Sequence, residues 1–336
     1  MNPIKDMNTH IILTSRVRLA RNIEGYLFSD QLGEEEGEKL TGEVRDVIDG
    51  WKDTYTMYVL KKIPLLSRLH FVEQQWMSPA LMSQYDRGSF FLREDKAISI
   101  MVLEEDHLRI QSIKEGLSLS EAYYEALQVE KTLDQDLKFS YDPSYGYLTA
   151  CPTNVGTGLR ASVMMHLPAL EMTGLKNLSR SLARMGLVLR GFHGEGSKAL
   201  GSIYQVSNEQ TLGLTEEEYI SRLEKAVLEI VSLEEEKRRI LYTDQKIQLE
   251  DKVHRSFGIL RHARILPYEE MAACLSMIKL GIDLSILKQV QEINIYESMF
   301  QLQNASLQIK KQAQLDQESR DIYRADLCRR MMKEGF

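Results

Sequence analysis

Cysteine is scarce in this chain: three residues, Cys151, Cys274 and Cys328, among 336. An odd number at such wide spacing fits neither a disulfide framework nor paired metal ligands, and it points to a reducing compartment, the cytoplasm. Long apolar runs are missing as well. No stretch approaches the roughly 20 residues of a membrane-crossing helix, and the opening MNPIKDMNTHII lacks the pattern of a secretory signal. Positive charge is in deficit, with 42 Lys and Arg against 49 Asp and Glu for a net charge of -7. A broad nucleic-acid surface is therefore excluded, and any positive site must be a local pocket rather than a field. Familiar catalytic signatures are absent too. The stretch GFHGEGS, beginning at Gly191, lacks the Gly-Lys-Ser/Thr ending of a P-loop and the strand, glycine and helix order of a dinucleotide fingerprint. His107 and His166 show no metal-ligand spacing, so no metal site is expected and both read as structural or substrate-adjacent. No Ser-His-Asp pattern for acyl transfer is visible.

What is present has two textures. With 43% hydrophobic and 27% charged residues, the chain is globular and long enough for two domains. Up to about residue 213, strand-like runs (IILTSRVRL, AISIMVL, HLRIQSI, GYLTAC, LRASVMMHL, GLVLRGF, GSIYQVS) alternate with turns and helical stretches. Beyond it, strand signals stop. Thr215 and Glu218 form a capping-box pattern that opens a long helix through RRILY. DQKIQLEDKVHRSFGIL, PYEEMAACLSMIKL with Pro267 at its first turn, and ESRDIYRADLCRRMMKEG read as further helices. The expected fold class is α+β, a mostly antiparallel sheet flanked by helices, followed by an all-α C-terminal domain.

The chemistry starts in ILTSRVRLARN. Alternate strand residues share a face, so Arg16 and Arg18 project together while Ile12, Val17 and Leu19 look toward a core. In AISIMVLEEDHLRIQSI, a hairpin or bulged bend, Glu105, His107 and Arg109 share one parity. Arg160 opens LRASVMMHL, and Arg190 closes GLVLR. Arginines in or at the edges of strands, where propensity prefers Val, Ile or Tyr, make sense against a multiply charged anion that their planar forks meet bidentately. Each piece alone also has an ordinary reading. A strand arginine suits a solvated sheet face, Glu104-Glu105-Asp106 suits a polar turn, and CPTNVGTG suits a loop with a snug Cys151.

Taken in order, SRVRLARN, EEDHLRIQ, CPTNVGTGLRASV and RGFHGEGS resemble the catalytic half of the phosphagen (guanidino) kinases. From about residue 10 onward, RDIYRA included, the chain is similar to the bacterial protein arginine kinases. The resemblance implies a guanidino-kinase catalytic domain over 1–240 and a helical domain over 241–336 for phosphoarginine binding and dimerisation. It implies that Arg16, Arg18, Arg109, Arg160 and Arg190 hold the triphosphate of ATP with Mg2+, with Ser15, Ser162, Gly191 and Gly194 in the same nucleotide-binding set. Arg21 stays structural. Glu105 falls on the carboxylate that orients the guanidinium and accepts its proton, Glu195 on a second carboxylate clamp, and Cys151 on the family's reactive cysteine. One departure stands in FVEQQWMSP. The family often has a nucleotide-contacting histidine there; Gln74 and Gln75 occupy the stretch instead, and a glutamine still donates to a phosphate or to adenine.

Arg320 and Arg324, four apart with Asp321 beside them, would by themselves be a solvated helix face. The resemblance implies an allosteric phosphoarginine pocket, with the arginines on the phosphate and Asp321 on the guanidinium. Small-molecule phosphagen kinases carry a long helical domain before the first arginine motif and lack the helical third; here 15 residues precede Arg16. The expected site is thus open, and the expected activity is ATP-dependent phosphorylation of arginine side chains in proteins, in protein quality control and stress response. Expected partners are substrates with exposed arginines, a zinc-binding activator, a Clp-type chaperone-protease and a second copy of the chain, with no membrane. Two alternatives stay open: a kinase of a free guanidino compound such as arginine, and a non-catalytic phosphoarginine-binding adaptor.

Overall fold

The computed structural model describes residues 11–191, 199–288 and 294–334. In chain order its first part runs β1 (Ile12–Arg21), α1 (Glu34–Asp49), β2 (Tyr55–Val59), α2 (Leu65–Glu73), α3 (Pro79–Ser83), β3 (Ser89–Arg93), β4 (Ile98–Val102), β5 (Leu108–Glu115) and α4 (Leu119–Leu137). There follow β6 (Tyr141–Asp142), β7 (Gly146–Tyr147), β8 (Leu159–His166), α5 (Pro168–Thr173), α6 (Lys176–Arg184), β9 (Leu187–Gly191) and β10 (Ile203–Asn208). The rest is helical: α7 (Glu216–Asp244), α8 (Lys246–His262), α9 (Tyr268–Asp283), α10 (Ile295–Gln301), α11 (Asn304–Lys311) and α12 (Gln317–Glu334).

Eight strands form one sheet in the order β2-β3-β4-β5-β1-β8-β10-β9, and the pairings along it are antiparallel. The α+β architecture expected from the sequence is therefore found. YTMYV and SFFLR, which the pattern reading passed over, form β2 and β3. SFFLR is buried along most of its length, and a short apolar run of that kind carries no periodicity to identify it. GYLTAC gives only the two-residue β7.

A bulge decides which residues of β1 reach the core. Ile12 pairs with Met165 and Thr14 with Met164, so Leu13 is an extra residue in the strand. The insertion switches parity, so that Ile12 joins Val17 and Leu19 in the same core, under α4 and the first half of α7, while Leu13 packs against the helical core. On the opposite sheet face, Phe90 and Met101 pack with Phe71, Met77 and Leu81 of the α2–α3 segment. The C-terminal helices build a further core around Leu275, Ile278, Leu307 and Cys328.

The capping box is present as read: Glu218 N–H donates to Thr215 Oγ1, and Thr215 N–H donates to the Glu218 carboxylate. Pro267 stands one place outside its helix, as the cap residue. The long α7 helix passes through residue 240, placing Tyr219 to Val231 in the sheet core and Leu241 in the helical core. One buried hub ties these layers. Glu234 accepts from the Ala169 and Leu170 N–H groups and from Arg238 Nε, while Arg238 Nη1 reaches Asp283 at 2.9 Å. Among the described residues no helix is long and apolar enough to cross a membrane.

Arg21, at the end of β1, braces the far side of the sheet. It is 1% exposed; its Nε donates to Glu130 at 3.1 Å, and its Nη1 donates to the Ala20 and Thr157 carbonyls. Its guanidinium stacks 3.4 Å from the centre of the Tyr147 ring. Gly158, at φ +61°, makes room for it, because a Cβ there would lie 2.7 Å from Arg21 Nη1. Arg21→Ala would strand the buried Glu130 carboxylate and is expected to cost about 3–5 kcal/mol in urea unfolding. Stability unchanged within experimental error would show that Arg21 is not the brace.

Candidate active site

Antiparallel register brings the strand arginines to one face. Arg18 lies directly across from Arg160 on β8 and from Gln111 on β5, Arg16 across from Ser162, and Ala20 across from Arg109. On the next strands Gln205 pairs with both Met164 and Arg190. Arg16 Nη2 donates to Gln205 Oε1 at 2.7 Å, which fixes its fork over the sheet. Arg16, Arg18, Gln75, Arg190, Gly191 and Gln205 line a cleft of about 320 Å³.

The cleft is electrostatically loaded. Burial, then the neighbouring Arg16 and Arg109, push the Arg18 guanidinium well below its usual value. Arg160 is lowered for the same reasons, burial first and Arg190 second, with Cys151 and Glu105 near enough to oppose the shift. The Arg18 Nε–H is buried with no hydrogen-bond partner. Like charges held together with an unsatisfied donor describe a site shaped for a polyanion.

Three consecutive acids divide the remaining work. Glu104 and Asp106 are each 2% exposed, so the stretch is not the plain polar turn that its composition allows; only Glu105 faces outward. Glu104 accepts from Arg109 Nη1 at 2.5 Å and from Ser78 Oγ at 2.6 Å. Asp106 accepts from Asn22 Nδ2 and the Ala150 N–H, both at 2.7 Å, and so anchors the loop bearing Cys151; burial raises its carboxyl. Glu105 Oε2 lies 3.4 Å from Arg109 Nη2 and 3.4 Å from Asn154 Nδ2. Asn154 Oδ1 faces Arg160 Nε at 3.5 Å, and Cys151 Sγ sits 3.0 Å from Thr153 Oγ1. Glu105, Arg109, Arg160 and the Cys151 loop therefore converge at one end of the arginine face.

Other expected residues fall differently. Glu195 and Gly194 lie outside the described residues. Ser15 points away from the arginines: fully buried, its hydroxyl donates to the Gly116 carbonyl and accepts from the Ser118 N–H, so it bears structure rather than the cleft. Ser162 is buried, across from Arg16 on the neighbouring strand. His107 and His166 are both buried, His107 bonding the Ile23 N–H and the Leu27 carbonyl, His166 the Ser276 hydroxyl. Gln74 reaches Ser306 rather than the cleft, and Gln75 lines it. In the tail, Arg324 is fully buried. It donates to the Leu302 and Leu266 carbonyls, to Asn304 and to Asp321, so in this conformation it is a strut and not a presented phosphate ligand. Arg320 is half-buried, with Nη1 donating to the Leu315 carbonyl. Glu104, Asn154 and Gln205 were not singled out from sequence; an acid, an amide and an amide in ordinary positions carry no signal until the sheet brings them to the arginines.

Comparison with known proteins agrees with this arrangement. Residues 38–237 match the model of the ATP:guanido phosphotransferase C-terminal catalytic domain, and residues 246–335 match that of the protein-arginine kinase McsB C-terminal domain. A protein-arginine kinase of Clostridium tetani is 38% identical over 98% of this chain and 97% of its own length. One of Bacillus cereus is 42% identical over 97% of this chain and 93% of its own. Among solved structures, lombricine kinase shares the fold at a TM-score of 0.61 and 23% identity, over 67% of this chain and 66% of that one. The substrate-free duplicated taurocyamine kinase of Schistosoma mansoni does so at a TM-score of 0.61 and 25% identity, over 77% of this chain and 40% of that one. With one match across the sheet domain, a second across the C-terminal helices and relatives aligned over nearly their full length, the chain belongs to the ATP:guanido phosphotransferases, in the protein-arginine kinase family, and is a transferase.

Proposed function

We propose that this protein transfers the γ-phosphoryl group of ATP to the guanidinium of arginine side chains in other proteins. The observation that carries the reading is the loaded arginine face, with its unsatisfied Arg18 donor, ending beside an outward-facing carboxylate, Glu105. A protonated guanidinium is a poor nucleophile, so a carboxylate must hold one nitrogen in line with the phosphorus and take its proton. Glu105 performs both tasks. As the nitrogen–phosphorus bond forms, the bond from phosphorus to the β–γ bridging oxygen breaks and ADP leaves with that oxygen. Charge on the transferring group is met by Arg109 and Arg160 on one side and by Arg16, Arg18 and Arg190 along the chain of phosphates.

The arginine set and the deep Arg18 donor fit a triphosphate. Mg2+, which dehydrates reluctantly, would be held mainly by phosphate oxygens and water and would neutralise part of their charge. Glu195 is the proposed second clamp on the guanidinium, and Cys151 is proposed to meet the same group. Protein quality control, stress response, a zinc-binding activator, Clp-type proteolysis, a cytoplasmic setting and a homodimer belong to this reading through the resemblance. So does the phosphoarginine pocket of the tail, where a ligand would meet Arg320 first and the buried Asp321–Arg324 pair would have to open to join it.

Two measurements test the reading. With magnesium ATP and casein, mass spectrometry under non-acidic conditions should find phosphate on protein arginine, and Glu105→Gln should reduce it by roughly 10²-fold or more. Turnover of free arginine alone would move the chain to the small-molecule kinases. Arg18→Ala should lower kcat/KM for ATP by roughly 10²-fold, while its melting temperature stays level or rises because like-charge crowding is relieved. A parent-like kcat/KM would remove Arg18 from the phosphate set.

A further inference from the structure

Glu73, the last residue of α2, turns its carboxylate away from solvent and onto the first turn of α11. Its Oε1 accepts from the Ala305 N–H at 2.8 Å, and its Oε2 accepts from the Ser306 N–H at 2.7 Å and from Ser306 Oγ at 2.8 Å. The residue in the cap position of α11, Gln303, gives that helix no side-chain cap. Glu73 thus supplies from another element the acceptor that the first turn lacks, and its negative charge suits the positive end of the helix dipole. Around this anchor, Gln74 Nε2 and His70 Nδ1 both lie within 3.1 Å of Ser306 Oγ, and Arg324 Nη2 holds Asn304 at the same helix end.

The chain leading away from Glu73 forms one wall of the arginine cleft. Gln75 adopts a left-handed backbone at φ 60°, and its carbonyl accepts from Gln111 Nε2 at 2.8 Å. Glu73, Gln75, Met77 and Ser78 line the cleft together with Arg16 and Arg18. Ser78 then donates to the same Glu104 oxygen that receives Arg109. A continuous series of bonds joins the first turn of α11 to the aim of a phosphate arginine.

We propose that Glu73 is a positioning residue for phosphoryl transfer: seated on α11, it fixes the 74–78 wall of the cleft and, through Ser78 and Glu104, the direction of Arg109. The inference rests on the reading of that cleft as the nucleotide site. It makes the C-terminal helices part of the catalytic geometry although none of them needs to touch ATP. Gln303 also lines the cleft, which keeps α11 within reach of the same wall.

The test is calorimetric titration of ATP into the full chain and Glu73→Gln, followed by steady-state kinetics. Glu73→Gln turns an amide toward the Ser306 donors and should weaken ATP binding about tenfold. The KM for ATP should rise while the KM for the protein substrate holds, and Glu73→Asp should recover part of the loss. Ser78→Ala lies on the same path, so the double variant should bind ATP no more weakly than the worse single one. If Glu73→Gln unfolds the protein, Ser306→Ala, which removes one donor and no charge, should still raise the KM for ATP selectively. Parent-like ATP affinity in Glu73→Gln, an equal rise in both KM values, or multiplicative losses in the double variant would overturn the proposal while leaving the kinase reading intact. A parent chain that binds no ATP would overturn the nucleotide reading itself, and this inference with it.

Discussion

Arg18 and Arg160 pair directly across two hydrogen-bonded strands, with Arg16 two residues along and Arg109 one strand away. Burial and mutual repulsion press Arg18 well below its usual value. A loose scaffold would let such side chains splay apart. The sheet prevents this, because its reverse face is locked into the core by Val17, Leu19, Ala161 and Val163 under α4 and α7. Packing on one face thus maintains an unfavourable charge arrangement on the other, which under the proposed function an anion of several charges relieves.

Around that face the acids are distributed by exposure. Glu104 and Asp106, both withdrawn from water, hold Arg109 and the Cys151 loop in place, while Glu105 between them remains exposed. The bend between β4 and β5, entered through the left-handed Leu103, produces this division from three consecutive residues of similar chemistry. The helical unit adds a further layer of support through Glu73 on α11 and the Glu234–Arg238–Asp283 hub.

Much of this was legible in the sequence, for reasons that differ by residue. Arg16 and Arg18 could be paired because strand periodicity is strict, and Thr215 with Glu218 because capping is local. Arg21 could be set apart by its opposite parity, and it proves to be a buried brace. Ser15, placed in the nucleotide set by the resemblance, leaves the sheet on the face opposite Arg16, where its hydroxyl bonds Gly116 and Ser118. SFFLR was passed over because an interior strand buried on both sides has no alternation to read. Glu104 gave no sign of its role, which exists only once Ser78 and Arg109 are folded against it. Arg324 misleads in the other direction: an i,i+4 arginine looks exposed until the Leu266 and Leu302 carbonyls are seen to close over it.

The central claim is that the sheet stores repulsion among arginines which a chain of phosphates discharges. Calorimetric comparison of ATP, ADP and AMP binding to the parent protein, at two salt concentrations, tests it most directly. The account predicts that affinity falls stepwise with each phosphate removed, by roughly tenfold or more per step, and that the difference between ATP and AMP shrinks as salt rises. Equal affinity for ATP and AMP, or a preference indifferent to salt, would contradict it.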